Sequence, residues 1–272
     1  MAHNSDLIAQ CEAKAEQWLS PSFDEETRMA VRKMLESSDK TELIESFYKD
    51  LEFGTGGLRG IMGAGSNRMN IYTVGMATQG FANYLKKNFK DRLSISVVVC
   101  HDCRNNSRKF AEAVADIFSA NGIKVYLFDD MRPTPECSFA IRHFHCQGGV
   151  NITASHNPKE YNGYKAYWED GAQVLMPHDT GIIDEVGKVH VQDVKFKGNP
   201  ALIEIIGEEV DRIYLEKIHT LSIDPEVIKH QKDLKIVYTP LHGTGMKLIP
   251  QSLKLWGFEN VHCVKEQMIK SG

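Results

Sequence analysis

Apolar residues along this chain come in short packets at two alternating spacings, and that alternation predicts the fold class. In the first fifty residues the spacing is helical. Ser22 followed by Asp24-Glu25-Glu26 marks a helix start, its acidic residues suited to the positive end of the dipole, and Val31, Met34 and Leu35 then share an inward face. Residues 53–68 are glycine-rich and polar and read as a loop, followed by a helix over about 71–89. Strand and helix signals then take turns. Residues 95–100 form a continuous apolar run expected of a buried strand. Ser107 caps a helix carrying Phe110, Val114, Ile117 and Phe118, and Gly122 ends it. A strand over 123–128, a helix over 134–144 and a strand over 149–152 follow. Asn162-Gly163 reads as a turn leading into a second, aromatic-rich strand.

Alternating strands and helices of this length imply parallel β-α-β units with right-handed crossovers. Further on, helices are expected near 178–189 and, as a long element leading out of the first domain, near 202–219. A strand over 234–238, a helix over 246–256 and a strand over 261–264 then begin a second α/β unit.

Composition narrows the classes of function. Of the 272 residues, 42% are hydrophobic and 25% charged, as in a globular protein with a real core, and the net charge of −4 disfavours a nucleic-acid binder. No apolar stretch approaches the roughly 20 residues needed to span a bilayer, so no membrane partner is expected. The amino terminus lacks the basic and apolar regions of a signal peptide, and the six cysteines are scattered, which together predict a cytoplasmic protein with reduced thiols. Cys100-His101-Asp102-Cys103 and His143-Phe144-His145-Cys146 read as a strand end and a helix end; neither has the spaced pairs of a zinc site.

The candidate chemistry follows the 149–152 strand. Thr153-Ala154-Ser155-His156-Asn157-Pro158 sets a hydroxyl beside an imidazole, and Lys165 comes ten residues after the serine. Open α/β sheets place ligands at the carboxyl ends of their strands, so Ser155, His156 and Lys165 are candidates for one pocket. Ser155 is either a nucleophile activated by a neighbouring base or a residue that turns the chain before Pro158; composition does not separate the two.

The 153–158 segment with Tyr161-Asn162-Gly163-Tyr164-Lys165 resembles the phosphoserine loop of the α-D-phosphohexomutase superfamily, the phosphoglucomutases and phosphomannomutases. Three other segments agree in order: Phe53-Gly54-Thr55-Gly56-Gly57-Leu58-Arg59-Gly60 is similar to the family's amino-terminal glycine loop. His101-Asp102-Cys103-Arg104-Asn105-Asn106-Ser107 is similar to its D-x-R-x-x-S turn, and Tyr238-Thr239-Pro240-Leu241-His242-Gly243-Thr244-Gly245 to the opening of its second domain. The leader, with Trp18-Leu19-Ser20-Pro21, resembles the branch that holds bacterial phosphoglucomutases and phosphopentomutases.

The resemblance implies an α/β fold with a mixed, mostly parallel sheet sandwiched by helices. A helical leader (1–50) precedes a first domain (51–205), and a linker helix with the start of a second α/β domain (206–272) follows. It implies that Ser155 is carried as a phosphoserine and that its phosphate is a ligand of Mg²⁺. Lys165 is implied as general acid/base, His156 as a residue that orients the phosphate or shares the proton, and Thr55 and Arg59 as substrate-binding. Asp102 and Arg104 are expected to form a structural pair supporting the loops. The implied partner is a sugar phosphate, with a sugar 1,6-bisphosphate as activator. Phosphate would migrate between the 1 and 6 positions of a hexose, with glucose as the leading sugar and mannose or pentose phosphates as alternatives. Readings of another class are a hydrolase with a phosphoserine intermediate and a non-catalytic sugar-phosphate-binding fragment. Nothing in the chain resembles the family's D-G-D-x-D-R metal loop, so these 272 residues alone are expected not to turn over substrate.

Overall fold

The computed structural model describes residues 2–54 and 56–270. Its elements run α1 (Ala2–Gln17), α2 (Glu25–Glu36), α3 (Thr41–Phe47), β1 (Gly57–Ile61), α4 (Ile71–Asn88), β2 (Ser96–His101), α5 (Ser107–Ala120), β3 (Lys124–Phe128), α6 (Thr134–His143), β4 (Gly148–Ile152), β5 (Tyr161–Trp168), α7 (His178–Val186), β6 (Ile203–Ile206), α8 (Glu208–His219), α9 (Pro225–His230), β7 (Ile236–Tyr238), α10 (Leu248–Leu255) and β8 (Val261–Cys263).

Six strands form one sheet in the order β1-β5-β4-β2-β3-β6. The pairs β4–β2, β2–β3 and β3–β6 are parallel, whereas β5 runs antiparallel to both β4 and β1. The expected mixed, mostly parallel sheet is therefore present. Both faces are covered, which is why β2 reads as an unbroken apolar run. Its Val97 and Val99 pack into a core with α4, α5 and α7, while Val98 and Cys100 pack on the opposite side with α6 and α8. β7 and β8 form a separate two-stranded parallel sheet beside α10. Among the described residues no helix is long and apolar enough to cross a membrane.

The leader builds a third core from Cys11, Ala15, Trp18, Phe23, Val31, Met34, Leu43 and Phe47, closed by Tyr72 of α4. Trp18 stacks on Phe23 at 4.5 Å between ring centroids. Asp24, rather than Ser22, caps α2. Its carboxylate accepts from the Thr27 amide (2.8 Å) and from the Tyr72 hydroxyl (2.8 Å), so one side chain ends the turn and joins leader to α4.

Four other expectations are corrected. Residues 57–61, inside the stretch read as loop, are strand β1, because β5 supplies the backbone partners that its glycines alone do not predict. Asn162-Gly163 lies within β5 rather than in a turn. The long helix expected over 202–219 is a strand and a helix, because Ile203–Ile206 extends the sheet edge at β3 before α8 begins. Ser107 is the first residue of α5 rather than its cap; Asn106 precedes it at a left-handed φ of 62°.

Candidate active site

The site begins where β4 ends. The Thr153 amide donates to the Gly163 carbonyl (2.9 Å), one last bond before the chain leaves the sheet. Ser155 then takes a left-handed backbone, φ 56°, which costs a non-glycine residue about 1–2 kcal/mol and persists only where the surroundings enforce it. Its amide donates to Thr153 Oγ1 (3.1 Å), the Asn157 amide to the Ala154 carbonyl (3.1 Å), and its side chain is exposed. His156 Nδ1 lies 3.5 Å from Ser155 Oγ, at the limit of a hydrogen bond.

Arg104 enforces this loop. Its Nη2 donates to the carbonyls of Ser155 (2.8 Å) and Asn157 (2.6 Å), and its Nη1 to those of Pro158 (2.8 Å) and Tyr161 (3.1 Å). Asp102 lies 3.3 Å from Arg104 Nε and accepts from the Arg104 amide (2.9 Å) and the Ser107 hydroxyl (2.7 Å). Ser107 accepts in turn from Asn162 Nδ2 (2.9 Å). This chain of bonds explains why Asn162 sits in a strand: its buried amide reaches Ser107 and the Asn105 carbonyl (3.1 Å). Gly163 beside it has no room for a side chain, since a Cβ would stand 2.5 Å from the Thr153 carbonyl oxygen. The expected structural pair of Asp102 and Arg104 is thus present, with a larger role than its spacing suggested.

β1 and β5 bring the cations. Arg59 pairs across from Gly163, and Lys165 across from Gly57, which sets the two side chains diagonally on one face. Arg59 is exposed and donates to Asn157 Oδ1 (3.1 Å), so it reaches the serine loop directly. Lys165 is half-buried; burial lowers its pKa below the usual lysine value, the Arg59 charge lowers it further, and Asp102 opposes both. A lysine so placed gives up its proton more readily than one in water. Thr55 lies outside the described residues.

The opposite wall comes from residues 240–244. The Cys103 thiol donates to the His242 carbonyl (3.3 Å), and His242 has φ 60°. A cleft of about 540 Å³ lies between this turn and residues 155–159, and a second of about 360 Å³ continues past Ser155 toward Arg132, Thr134 and Thr244. Ser155 and His156 line both. Arg59 and Lys165 line neither cleft, so the expected single pocket of Ser155, His156 and Lys165 is not formed by them together; Arg59 reaches the loop through Asn157.

Below the second cleft is a buried ion network that local sequence did not signal. Arg132 is fully buried and holds Asp211 by two bonds, Nε to Oδ1 (2.5 Å) and Nη2 to Oδ2 (3.0 Å), and Asp129 by a third (2.9 Å). Lys247 lies 3.8 Å from Asp129 and 3.9 Å from Asp211. Glu136 is fully buried, its oxygens have no hydrogen-bond partner among the described residues, and Arg132 Nε is 3.8 Å away. Burial above all, with the neighbouring Asp211 carboxylate, pushes its pKa up to about 9, so it is a neutral acid at pH 7.

The described residues do not by themselves complete a site for the implied Mg²⁺. Among the described residues no three His, Cys, Asp or Glu side chains cluster as a metal site, and Asp102, the carboxylate beside the loop, is taken by Arg104 and Ser107. Hard cations need several oxygen ligands, and Ser155 with its phosphate would supply one. His101 sits in the strand, buried, with Nδ1 2.8 Å from the Asp102 carbonyl oxygen, and burial lowers its pKa.

A family model described as phosphoglucomutase/phosphomannomutase, α/β/α domain I, matches residues 50–192. A phosphopentomutase of Homo sapiens is 35% identical over 270 residues, covering 95% of this chain and 44% of its own length. A phosphoglucomutase of Staphylococcus haemolyticus is 39% identical over 250 residues, 87% of this chain and 43% of its own. The chain thus spans less than half the length of these relatives. A solved structure from Thermus thermophilus, assigned as a phosphomannomutase, superposes with a TM-score of 0.65 at 24% identity over 82% of this chain and 47% of that one. That likeness is one of fold.

Proposed function

The chain belongs to the phosphoglucomutase/phosphomannomutase family, and from that premise we propose that Ser155 carries a phosphoryl group and exchanges it with a hydroxyl of a sugar phosphate. The observation that carries the reading is the conformation of Ser155, held left-handed at the mouth of a 540 Å³ cleft by a guanidinium that grips its loop four times. Strain of this kind is sustained where a side chain must be aimed.

In the forward step the bond between serine oxygen and phosphorus breaks as a sugar hydroxyl oxygen bonds to the same phosphorus. The hydroxyl proton passes to the neutral amine of Lys165, whose burial next to Arg59 favours that form, while the serine oxygen, as it leaves, takes a proton from His156 Nδ1, 3.5 Å away. On the return the serine hydroxyl gives its proton back to His156 as it attacks the other phosphate of the sugar bisphosphate, and Lys165 protonates the sugar oxygen that is freed. Transfer of this type needs positioning and charge neutralisation more than covalent help. Arg59 supplies the nearby positive charge and His156 a hydrogen-bonding partner for the serine. Exchange between positions 1 and 6 of a hexose phosphate, with glucose the leading sugar and a sugar 1,6-bisphosphate as activator, is the finer form of this reading. Pentose phosphate is the second form, favoured by the named activity of the human relative.

Intact-mass measurement of the protein purified from cells tests it. A subpopulation heavier by about 80 Da, one phosphoryl group, is expected and should vanish in Ser155→Ala. Extra mass that persists in the variant, or maps to another residue, moves the nucleophile elsewhere.

A further inference from the structure

Both walls of the cleft follow the carboxyl end of a strand. Ser155 comes after β4, and the turn over 240–244 comes after β7, so the loops leaving two sheets face each other across the same space. One residue of that turn repeats the backbone of the serine. His242 has φ 60°, beside 56° for Ser155, and neither is a glycine. Such strain persists only where neighbours enforce it. Here Cys103 Sγ donates to the His242 carbonyl (3.3 Å), the Gly243 amide to the Pro240 carbonyl (2.8 Å) and the Leu241 amide to Thr239 Oγ1 (3.2 Å). Cys103 stands between Asp102 and Arg104, the pair that holds the serine loop, so one three-residue segment braces both walls.

Among the described residues, Ser155, His156, His242 and Gly243 line both clefts and mark where the two meet. His242 is exposed and is the ionisable side chain of the 240–244 wall. Arg104 and Arg132 also line these clefts, but the first is engaged by the serine loop and the second by Asp211 and Asp129. Arg59 and Lys165 line neither. We infer that His242 is a further catalytic residue of the proposed transfer: its imidazole donates a hydrogen bond, from the wall opposite His156, to an oxygen of the phosphoryl group that Ser155 exchanges. No bond to His242 is made or broken. Its part is to neutralise charge, which phosphoryl transfer needs more than covalent help. The inference rests on the phosphoserine reading and adds to it a contact supplied by the segment after β7.

The test follows the imidazole nitrogens of His242 by NMR across pH in two variants of the 272-residue chain, Ser155→Asp and Ser155→Asn. Both residues tolerate a left-handed backbone, and they differ by one negative charge. At low salt the His242 midpoint should lie roughly half a unit higher with Asp than with Asn, as for unit charges about 6 Å apart in water. His143 and His262, which line neither cleft, should not move. Asp102, Cys103, Arg104, Arg132, His156 and Lys159 line the clefts in both variants, so the difference reads the charge at position 155 alone. In the wild type, the fraction carrying a phosphoryl group should show a larger rise than the unmodified fraction, since phosphate brings nearly two charges. Equal His242 midpoints in the two variants, or a rise shared by His143 and His262, overturn the inference. Absence of added mass on Ser155 would instead remove the phosphoserine reading, and the comparison of Asp with Asn would still decide whether His242 faces position 155. Should either variant not fold, the two wild-type fractions decide.

Discussion

Glu136→Gln should stabilise the protein, and by an amount that grows with pH. The carboxyl is fully buried, finds no hydrogen-bond partner among the described residues, and has its pKa raised from 4.5 to about 9. In the unfolded chain it ionises above its ordinary value, whereas in the folded protein it keeps its proton until about pH 9. Between those limits the folded state binds one more proton, so stability falls as pH rises, by about 1.36 kcal/mol per unit. From the shift, the cost to the wild type is small at pH 5 and on the order of 3 kcal/mol at pH 7. Gln has nearly the same shape and no proton to take up, so it removes that cost while leaving the Arg132–Asp211 pair in place. Urea unfolding at pH 5, 6, 7 and 8, followed by the fluorescence of the three tryptophans, reads the difference directly. The expected gain at pH 7 is about 1–3 kcal/mol, each kcal/mol raising Tm by roughly 2–4 °C for a protein of this size. A variant offset by a constant amount would mean only that the amide packs differently; the pH slope is the signature. If the gap is flat or narrows with pH, Glu136 is ionised against Arg132 in the folded protein and the reasoning fails.

Two further outcomes follow from the site. Arg59→Gln removes the cation beside Lys165, so the Lys165 titration, followed by NMR of its side chain, should move upward toward ordinary lysine; an unmoved or lower midpoint refutes the coupling. In the wild type the unfolded chain holds the Lys165 proton to higher pH than the folded one, so this group's contribution to stability rises through that window. Gly163→Ala should destabilise by about 1–3 kcal/mol through overpacking against the Thr153 and Leu58 carbonyls, and should abolish phosphate on Ser155. Denaturation together with intact mass checks it, and full stability with retained phosphate would show that the serine loop tolerates the added methyl.

The buried network also bears on how the cleft is built. Arg132 and Asp211 tie the segment after β3 to α8, and Lys247, at the start of α10, reaches both Asp211 and Asp129. Lys270 adds a 2.6 Å contact to Asp130. The segment that follows the turn over 240–244 is therefore tied to α8 and to the segment after β3 by ion pairs, and the turn itself by the Cys103–His242 hydrogen bond. Salt screens the exposed members of such pairs and affects the buried ones much less.

Much of this protein is written locally. The unbroken run in β2, the helical face of α5 and the serine–histidine–proline turn are all patterns of a few residues, and period and turn chemistry survive without partners. The elements that local sequence misstated are those completed by partners far along the chain. β1 looks like loop until β5, about a hundred residues later, supplies its hydrogen bonds. Asn162-Gly163 looks like a turn until Ser107 and Thr153 surround it, and β6 merges with α8 until β3 takes it as an edge. The same holds for the chemistry. Ser155, His156, Arg59 and Lys165 are visible as residue types, but the left-handed serine, the fourfold grip of Arg104 and the neutral acid at Glu136 are not. Conformation, desolvation and charge coupling depend on which atoms lie within a few ångströms, and only the folded chain decides that.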